Sequence, residues 1–494
     1  MNIWHIVSAY LPWVWMLVVS VLLSQVSMQL YELRGDLSAF FRNEVSEFTM
    51  ERPLALDLGW KTMAIAALGL RWLIQRDKPV YLIDFACFEP PASWKLSPEQ
   101  LLEIMRNQGT YTEDSLTFQK RILERSGCGP ATAWPPAIAR CLDKTLELQG
   151  TVDYARKESE VVMFDVVRRA LQSTGTNAKD VDIIIVNCSL FSPTPSLCSM
   201  IIDEFNMRHD ICSYNLSGMG CSAGVVSIEL AKKALSSMPN SVALVVSTEN
   251  LTQNLYRGNE RSFLVQNTLF RCGGAAMVLS NKWTDGMRAS FKLLTLVRTQ
   301  YRDESKDPNR ARLDSFKAVY ETTDPTGERG VQLSKDITLV AGRAMEKNLT
   351  TLGPYVLPLS EQIKTLLSMI KCYMYKGSTP KVTPYIPDFK RGIDHFCIHA
   401  GGRSVIDTVE KNLKLTKEHA APSRHALYTY GNTSSSSIWY EMDYVRKQAN
   451  LSRGQRVLQV AFGSGFKCNS CVWLCINPGN HTSRVEVEGK AKAE

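Results

Sequence analysis

Asn215-Leu216-Ser217-Gly218-Met219-Gly220-Cys221-Ser222-Ala223-Gly224 joins a strand-like run to a helical one. Residues 211–216 read as a buried strand. Downstream, Val225, Ile228, Ala231 and Leu235 fall on one face of a helix. Two glycines permit a sharp turn between them, and a cysteine opens the helix. A cysteine there faces the positive end of a helix dipole, which predicts a lowered pKa and a reactive thiolate. The small neighbours leave room for a substrate. The same residues also fit a buried cysteine at a tight turn.

Outward from this stretch, strand and helix patterns alternate. Ile183-Ile184-Ile185-Val186 and residues 241–247 read as buried strands, and residues 80–85 as the first strand of the soluble part. In the second half, residues 396–399 and 457–462 read as strands and residues 405–413 as a helix. Alternation of this kind predicts an α/β fold with buried sheets. A boundary falls near residues 281–286, and the Pro-rich segment 377–387 reads as a surface loop. A duplication of two α/β halves is compatible with this pattern but is not demonstrated by one sequence.

Composition narrows the class. The 494 residues are 45% hydrophobic and carry a net charge of +8. That charge is mild for the length and argues against a nucleic-acid binder. It suits an anionic lipid surface or the phosphates of a nucleotide-like substrate, or simply a solvated face. The thirteen cysteines are scattered in apolar contexts, which predicts reduced thiols rather than a disulfide framework. Cys468-x-x-Cys471 has no second pair at zinc spacing, so no metal is expected. Residues 6–31 contain no charge, and a run of that length spans a ~30 Å hydrocarbon core. Trp13 and Trp15 near one end fit an interfacial belt. Residues 62–70 form a second apolar stretch, too short to span unless Arg71 snorkels. The expected organisation is a membrane anchor region over 1–78, two halves over 79–285 and 286–478, and a flexible tail over 479–494.

A thiolate needs partners. His395 and His399, in His395-Phe396-Cys397-Ile398-His399-Ala400-Gly401-Gly402, share a face on a strand or a helix. His399, ahead of a Gly-Gly turn, is the better placed, with His395 in support. Asn432, in Gly431-Asn432-Thr433-Ser434, is either a helix cap or an amide aimed at a developing oxyanion. Gly463-Ser464-Gly465 is a turn that shapes a cavity or cradles phosphates.

Together these segments resemble the plant-type 3-ketoacyl-CoA synthases, the condensing enzymes of very-long-chain fatty acid elongation, which are related to type III polyketide synthases. The similarity runs from about Val80 to Trp473 and includes Val246-Ser247-Thr248-Glu249-Asn250 and Gly463-Ser464-Gly465-Phe466-Lys467-Cys468-Asn469. It implies a thiolase-like layered αβαβα fold of two similar halves behind one or two N-terminal transmembrane helices. It implies that Cys221 carries the acyl group from acyl-CoA, while His399 and Asn432 hold the thioester oxygen of malonyl-CoA. Phe270 would lie near the entrance, and Gly463, Ser464 and Gly465 would bind substrate. No cofactor is implied beyond the two CoA substrates. A homodimer at the endoplasmic reticulum membrane, facing the cytosol beside other elongase enzymes, is implied as well. Gln300 and Tyr428 stand where the family usually or often has His. They motivate one alternative, a silent or weakly active regulatory subunit of an elongase complex; a polyketide-type condensing enzyme is the other alternative.

Overall fold

The computed structural model describes residues 79–303, 314–374 and 385–478. The expected membrane anchor, the second apolar stretch, most of the Pro-rich loop and the tail lie outside these residues. No described helix is long and apolar enough to cross a membrane.

Among the described residues, thirteen strands follow one another along the chain. The first half holds β1 (Tyr81–Cys87), β2 (Lys95–Leu96), β3 (Thr132–Ala133), β4 (Ile183–Asn187), β5 (Cys212–Leu216), β6 (Val242–Thr248) and β7 (Gly274–Ser280). The second holds β8 (Phe291–Gln300), β9 (Val319–Thr323), β10 (Arg329–Leu333), β11 (His395–Ile398), β12 (Arg456–Gly463) and β13 (Lys467–Cys475). Nine form one sheet in the order β11-β12-β13-β8-β1-β7-β6-β4-β5. Only Tyr81 and Leu82 of β1 pair with β8, so the sheet divides there into two wings.

The wings repeat a pattern. In the first, β1 and β6 pair antiparallel with β7, and β4 runs parallel to β6. In the second, β8 and β12 pair antiparallel with β13, and β11 runs parallel to β12. The helix Ala223–Ser237 precedes β6, and the helix Ser437–Gln448 precedes β12. The duplication, undemonstrable from the sequence, is plain in the strand pairing.

Residue alternation along each strand sets the layers, because successive side chains point to opposite faces. On β6, Val242, Leu244 and Val246 join a core with Val162 and Val166 of the helix Val152–Thr174. Ala243 and Val245 join a second core with Val225 and Ile228, and with Trp439 and Met442 from the helix Ser437–Gln448. On the other wing, Val457 and Ala461 face this second core. Leu458 and Val460 face a third, with Val340 and Leu352 of the helix Ile337–Val356. The order is helix, sheet, helix, sheet, helix. The long β-branched runs of β4 and β6 are apolar on both faces because both are covered. Each such side chain contributes about 1.5–3 kcal/mol on burial. The middle layer places the starts of two equivalent helices side by side. Gly224 permits this contact, since a Cβ there would meet Ser435 O at 2.5 Å.

Candidate active site

Cys221 lies in a single 3-10 turn, Gly220–Ser222, that feeds the helix Ala223–Ser237. Gly218 and Gly220 take φ of +66°, a left-handed conformation that glycine adopts without strain. Gly220 is needed for space as well. A Cβ there would stand 2.6 Å from Ser464 N and 2.7 Å from Ser464 Oγ. Gly463 has the reciprocal constraint, with Ser222 Oγ at 2.3 Å and Met219 O at 2.8 Å from a built Cβ. The Gly463-Ser464-Gly465 turn, between β12 and β13, therefore packs directly on the nucleophile's turn. We expect Gly463→Ala to cost about 1–3 kcal/mol and to displace Cys221. A lowered melting temperature with slowed alkylation of Cys221 is the check, and an unchanged variant would refute this packing role.

His399 follows the last residue of β11, and its N–H donates to Val460 O at 2.9 Å. A γ-like turn, Gly401 N–H to His399 O at 2.7 Å, folds the chain back over the ring. The ring is 3% exposed, and burial lowers its pKa to about 4. Among the described residues its Nδ1 has no hydrogen-bond partner. An unfolded histidine titrates near ~6.5, so between these values the unfolded chain binds a proton that the folded chain does not. Stability is thus lost as pH falls from about 6.5 to about 4, by ~3 kcal/mol from this residue. Denaturation of wild type and His399→Gln across that window should show a flatter pH dependence in the variant.

Asn432 closes the arrangement from just ahead of the serine-rich turn Ser434–Ser436. Its Oδ1 accepts from Ser434 N–H at 2.9 Å, and one hydrogen of its amide NH2 donates to Gly401 O at 3.4 Å, which leaves the second N–H to give. It is a turn former, with Ser436 as the cap of the following helix.

Cys221, His399, Asn432, Phe270, Gly463, Ser464 and Gly465 all line one cavity of about 340 Å³. Its other wall is largely apolar, with Val319, Val331, Leu333, Ile337 and Ala341, and the exposed ring of Phe316. Val319 belongs to β9, and Val331 and Leu333 to β10, so this hairpin forms part of the wall. Phe270 also borders a small apolar void shared with Trp134, Leu251 and Leu255.

His395 is not brought to the cavity. Its Nε2 lies 3.1 Å from Gln455 Oε1 at the far end of β11. The two histidines do share a face of an extended chain, but four residues at ~3.3 Å each separate them by about 13 Å. The expected low thiol pKa is also overturned. Burial pushes the Cys221 thiol up to about 12, opposed by a hydrogen bond from Ser434 and reinforced by the charge of Glu249. Desolvation outweighs the helix dipole because the sulfur sits inside the middle layer.

Two residues passed over by sequence reasoning complete the site. Ser434 Oγ lies 3.5 Å from Cys221 Sγ and 3.0 Å from Glu249 Oε2. Glu249 Oε1 accepts from Ser189 N–H at 3.0 Å, Leu190 N–H at 2.8 Å and the Cys188 thiol at 3.3 Å. The available signal was an acidic residue directly after the wholly buried strand β6. Of the two departures, Gln300 donates its side-chain amide to Gly465 O and so holds the glycine turn. Tyr428 is 57% exposed and does not line the cavity. Cys468 and Cys471 sit in different cores on opposite faces of β13. No group of metal-ligating side chains occurs among the described residues.

Residues 72–374 match the family described as FAE1/Type III polyketide synthase-like protein, and residues 390–475 match the C-terminal domain of 3-oxoacyl-[acyl-carrier-protein] synthase III. The chain is similar to 3-ketoacyl-CoA synthase 2 of Arabidopsis thaliana, 48% identical over 403 residues, covering 81% of this chain and 74% of that protein. It is 46% identical to 3-ketoacyl-CoA synthase 11 of the same plant over 419 residues, 85% of this chain and 79% of that protein. Its fold is similar to the C-terminal type III polyketide synthase domain of Steely1 from Dictyostelium. That likeness has a TM-score of 0.62 at 19% identity, over 81% of this chain and 100% of that domain. The fungal type III polyketide synthase ORAS gives 0.61 at 17% identity, over 80% and 99%.

Proposed function

The chain belongs to the FAE1/type III polyketide synthase-like family, and within it to the 3-ketoacyl-CoA synthases, and on that premise we propose that it condenses a long-chain acyl-CoA with malonyl-CoA in very-long-chain fatty acid elongation. The carrying observation is that Cys221, His399 and Asn432, from three separate elements, meet in one cavity with an apolar far wall. Cys221 attacks the acyl-CoA thioester and holds the acyl chain against that wall, releasing CoA. Malonyl-CoA then loses CO2, leaving an enolate at its thioester oxygen. The neutral imidazole of His399 and the amide of Asn432 donate to that oxygen. The enolate carbon attacks the acyl-Cys221 carbonyl, the C–S bond breaks, and 3-ketoacyl-CoA leaves. An unpartnered buried ring nitrogen, which costs ~1–3 kcal/mol, fits a group whose partner arrives with the substrate.

The same reading puts the protein at the endoplasmic reticulum membrane, as a homodimer facing the cytosol beside the other elongation enzymes. The uncharged run 6–31 supports the membrane part. So does the helix Leu359–Met374, whose Leu366, Leu367, Ile370 and Met374 are all exposed. The test is incubation of the detergent-purified full chain with long acyl-CoA and labelled malonyl-CoA. A product two carbons longer, as the 3-keto thioester, is expected. Products extended by several malonyl units, or none with any acyl-CoA, would overturn the reading.

A further inference from the structure

The helix Leu359–Met374 is mounted inside out. A surface helix of a globular protein ordinarily turns its apolar stripe to the core. Here the polar side does the holding. Of the sixteen residues, all described, only Glu361 is buried. Its carboxylate accepts from the Tyr385 hydroxyl at 2.6 Å and from Asp388 N–H at 3.1 Å, and Arg391 pairs with it at 3.3 Å. Two turns on, Ser368 Oγ accepts from Tyr385 N–H at 2.8 Å. The other side carries Leu359, Ile363, Leu366, Leu367, Ile370 and Met374. They recur at spacings of three and four residues, and their exposures run from 47% to 70%.

A second apolar patch lies at one edge of the large sheet. The loop between β7 and β8 leaves Trp283 76% and Met287 67% exposed. This edge gathers the starts of β1, β8, β11 and β12 and the ends of β7 and β13. Tyr81 stands opposite Ser280 and Lys292, Phe291 opposite Cys475, and His395 opposite Val457. The helix Leu359–Met374 begins beside the same edge, since Arg456 of β12 donates to Val356 O at 3.3 Å. The charge exposed by both patches has one sign. Residues 281–292 hold Lys282, Arg288 and Lys292, and their one acid, Asp285, is buried against Arg288. The helix holds Lys364 and Lys371, and its one acid is the buried Glu361. The described chain also starts here. The Tyr81 ring packs on the loop at Gly286, where a Cβ would stand 2.8 Å from Tyr81 Cζ. The apolar residues Trp72, Leu73 and Ile74 end only five residues before Pro79, at most ~18 Å of extended chain.

We propose that this sheet edge and the outward stripe of the helix together form a docking surface for a phospholipid bilayer with anionic headgroups, an inference that rests on the membrane reading above. The apolar side chains of a helix lying in the membrane plane enter the boundary between headgroups and acyl chains. The lysines at its flank meet the lipid phosphates. Trp283 combines an apolar ring with an N–H donor, which suits the headgroup level. A second copy of the chain is the rival occupant. A two-fold contact sets the same patch against itself and would bring these cations together without facing acids. Docking on lipid leaves the opposite sheet edge, which carries Cys221 and His399, toward the water in which CoA substrates dissolve.

Photocrosslinking of the full chain tests this. The protein is reconstituted into vesicles of phosphatidylcholine and phosphatidylserine doped with a phospholipid that carries a diazirine near its glycerol backbone. After irradiation, adducts are mapped by peptide mass. Lipid adducts are expected on residues 359–374 and 281–289 as well as within 1–78. In phosphatidylcholine alone, the adducts on the two surface segments should fall by about 5-fold, the factor one cation contributes near an anionic surface. Leu366→Asp combined with Ile370→Asp should lower the helix adducts by ~10-fold or more and keep those within 1–78. That variant should condense acyl-CoA in detergent as wild type does, since neither residue lines the cavity. Adducts confined to 1–78 overturn the docking surface and leave the membrane reading standing. Adducts nowhere, with the chain left outside the vesicles, overturn both. The proposal also fails if the double variant labels like wild type, or if the helix cross-links to a second copy in place of lipid.

Discussion

Cys221→Ala is expected to abolish condensation, with a loss of ~10⁴-fold or more, because no other group can carry the acyl chain. Chain-elongation assays on purified protein are the check. The other twelve cysteines do not substitute. All are free thiols, but none of them lines the cavity. The fold should survive, since alanine is smaller than the thiol it replaces and the side chain borders the cavity. A variant that melts like wild type but makes no 3-keto product separates chemistry from stability. Residual malonyl-CoA decarboxylation should persist, because that step depends on His399 and Asn432 rather than on the sulfur.

The second large effect divides the reaction the other way. His399→Ala and Asn432→Ala should each lower condensation by ~10²–10³-fold, the usual loss when one oxyanion donor is removed. Acylation of Cys221 should continue in both, so the acyl-enzyme accumulates instead of turning over. Quenched-flow mass measurement distinguishes this from a general collapse of the site. If either variant failed to acylate, the division of labour between the sulfur and the two donors would be wrong. Asn432→Ala has an added cost, since Oδ1 also holds Ser434 in its left-handed conformation. Its acylation should therefore slow more than that of His399→Ala.

Much of this was legible in the chain. The uninterrupted Ile183-Ile184-Ile185-Val186 run could only be a strand covered on both faces, and it is. Cys221, at the junction of a strand and a helix with glycines on one side, could be placed before any contact was known. The rest depended on partners distant in sequence. Nothing local says that Gly463 exists to let its turn approach Ser222, because that requirement comes from 241 residues away in the chain. The dipole argument for a low thiol pKa was sound for an exposed helix start. It failed because the second wing of the sheet buries this one. His395 shared the right face but not the right distance. Glu249 and Ser434 carry no recognisable spacing, and only the juxtaposition of two equivalent helix starts brings them to Cys221.

The central claim is that Cys221 is the covalent acyl carrier in the cavity shared with His399 and Asn432. The direct measurement is peptide mapping after incubation with a long-chain acyl-CoA alone, followed by a malonyl-CoA chase. The account predicts an acyl mass increment on the peptide containing Cys221, discharged by the chase as 3-ketoacyl-CoA. An increment on any other cysteine, or product formed with no covalent acyl-enzyme, would contradict it.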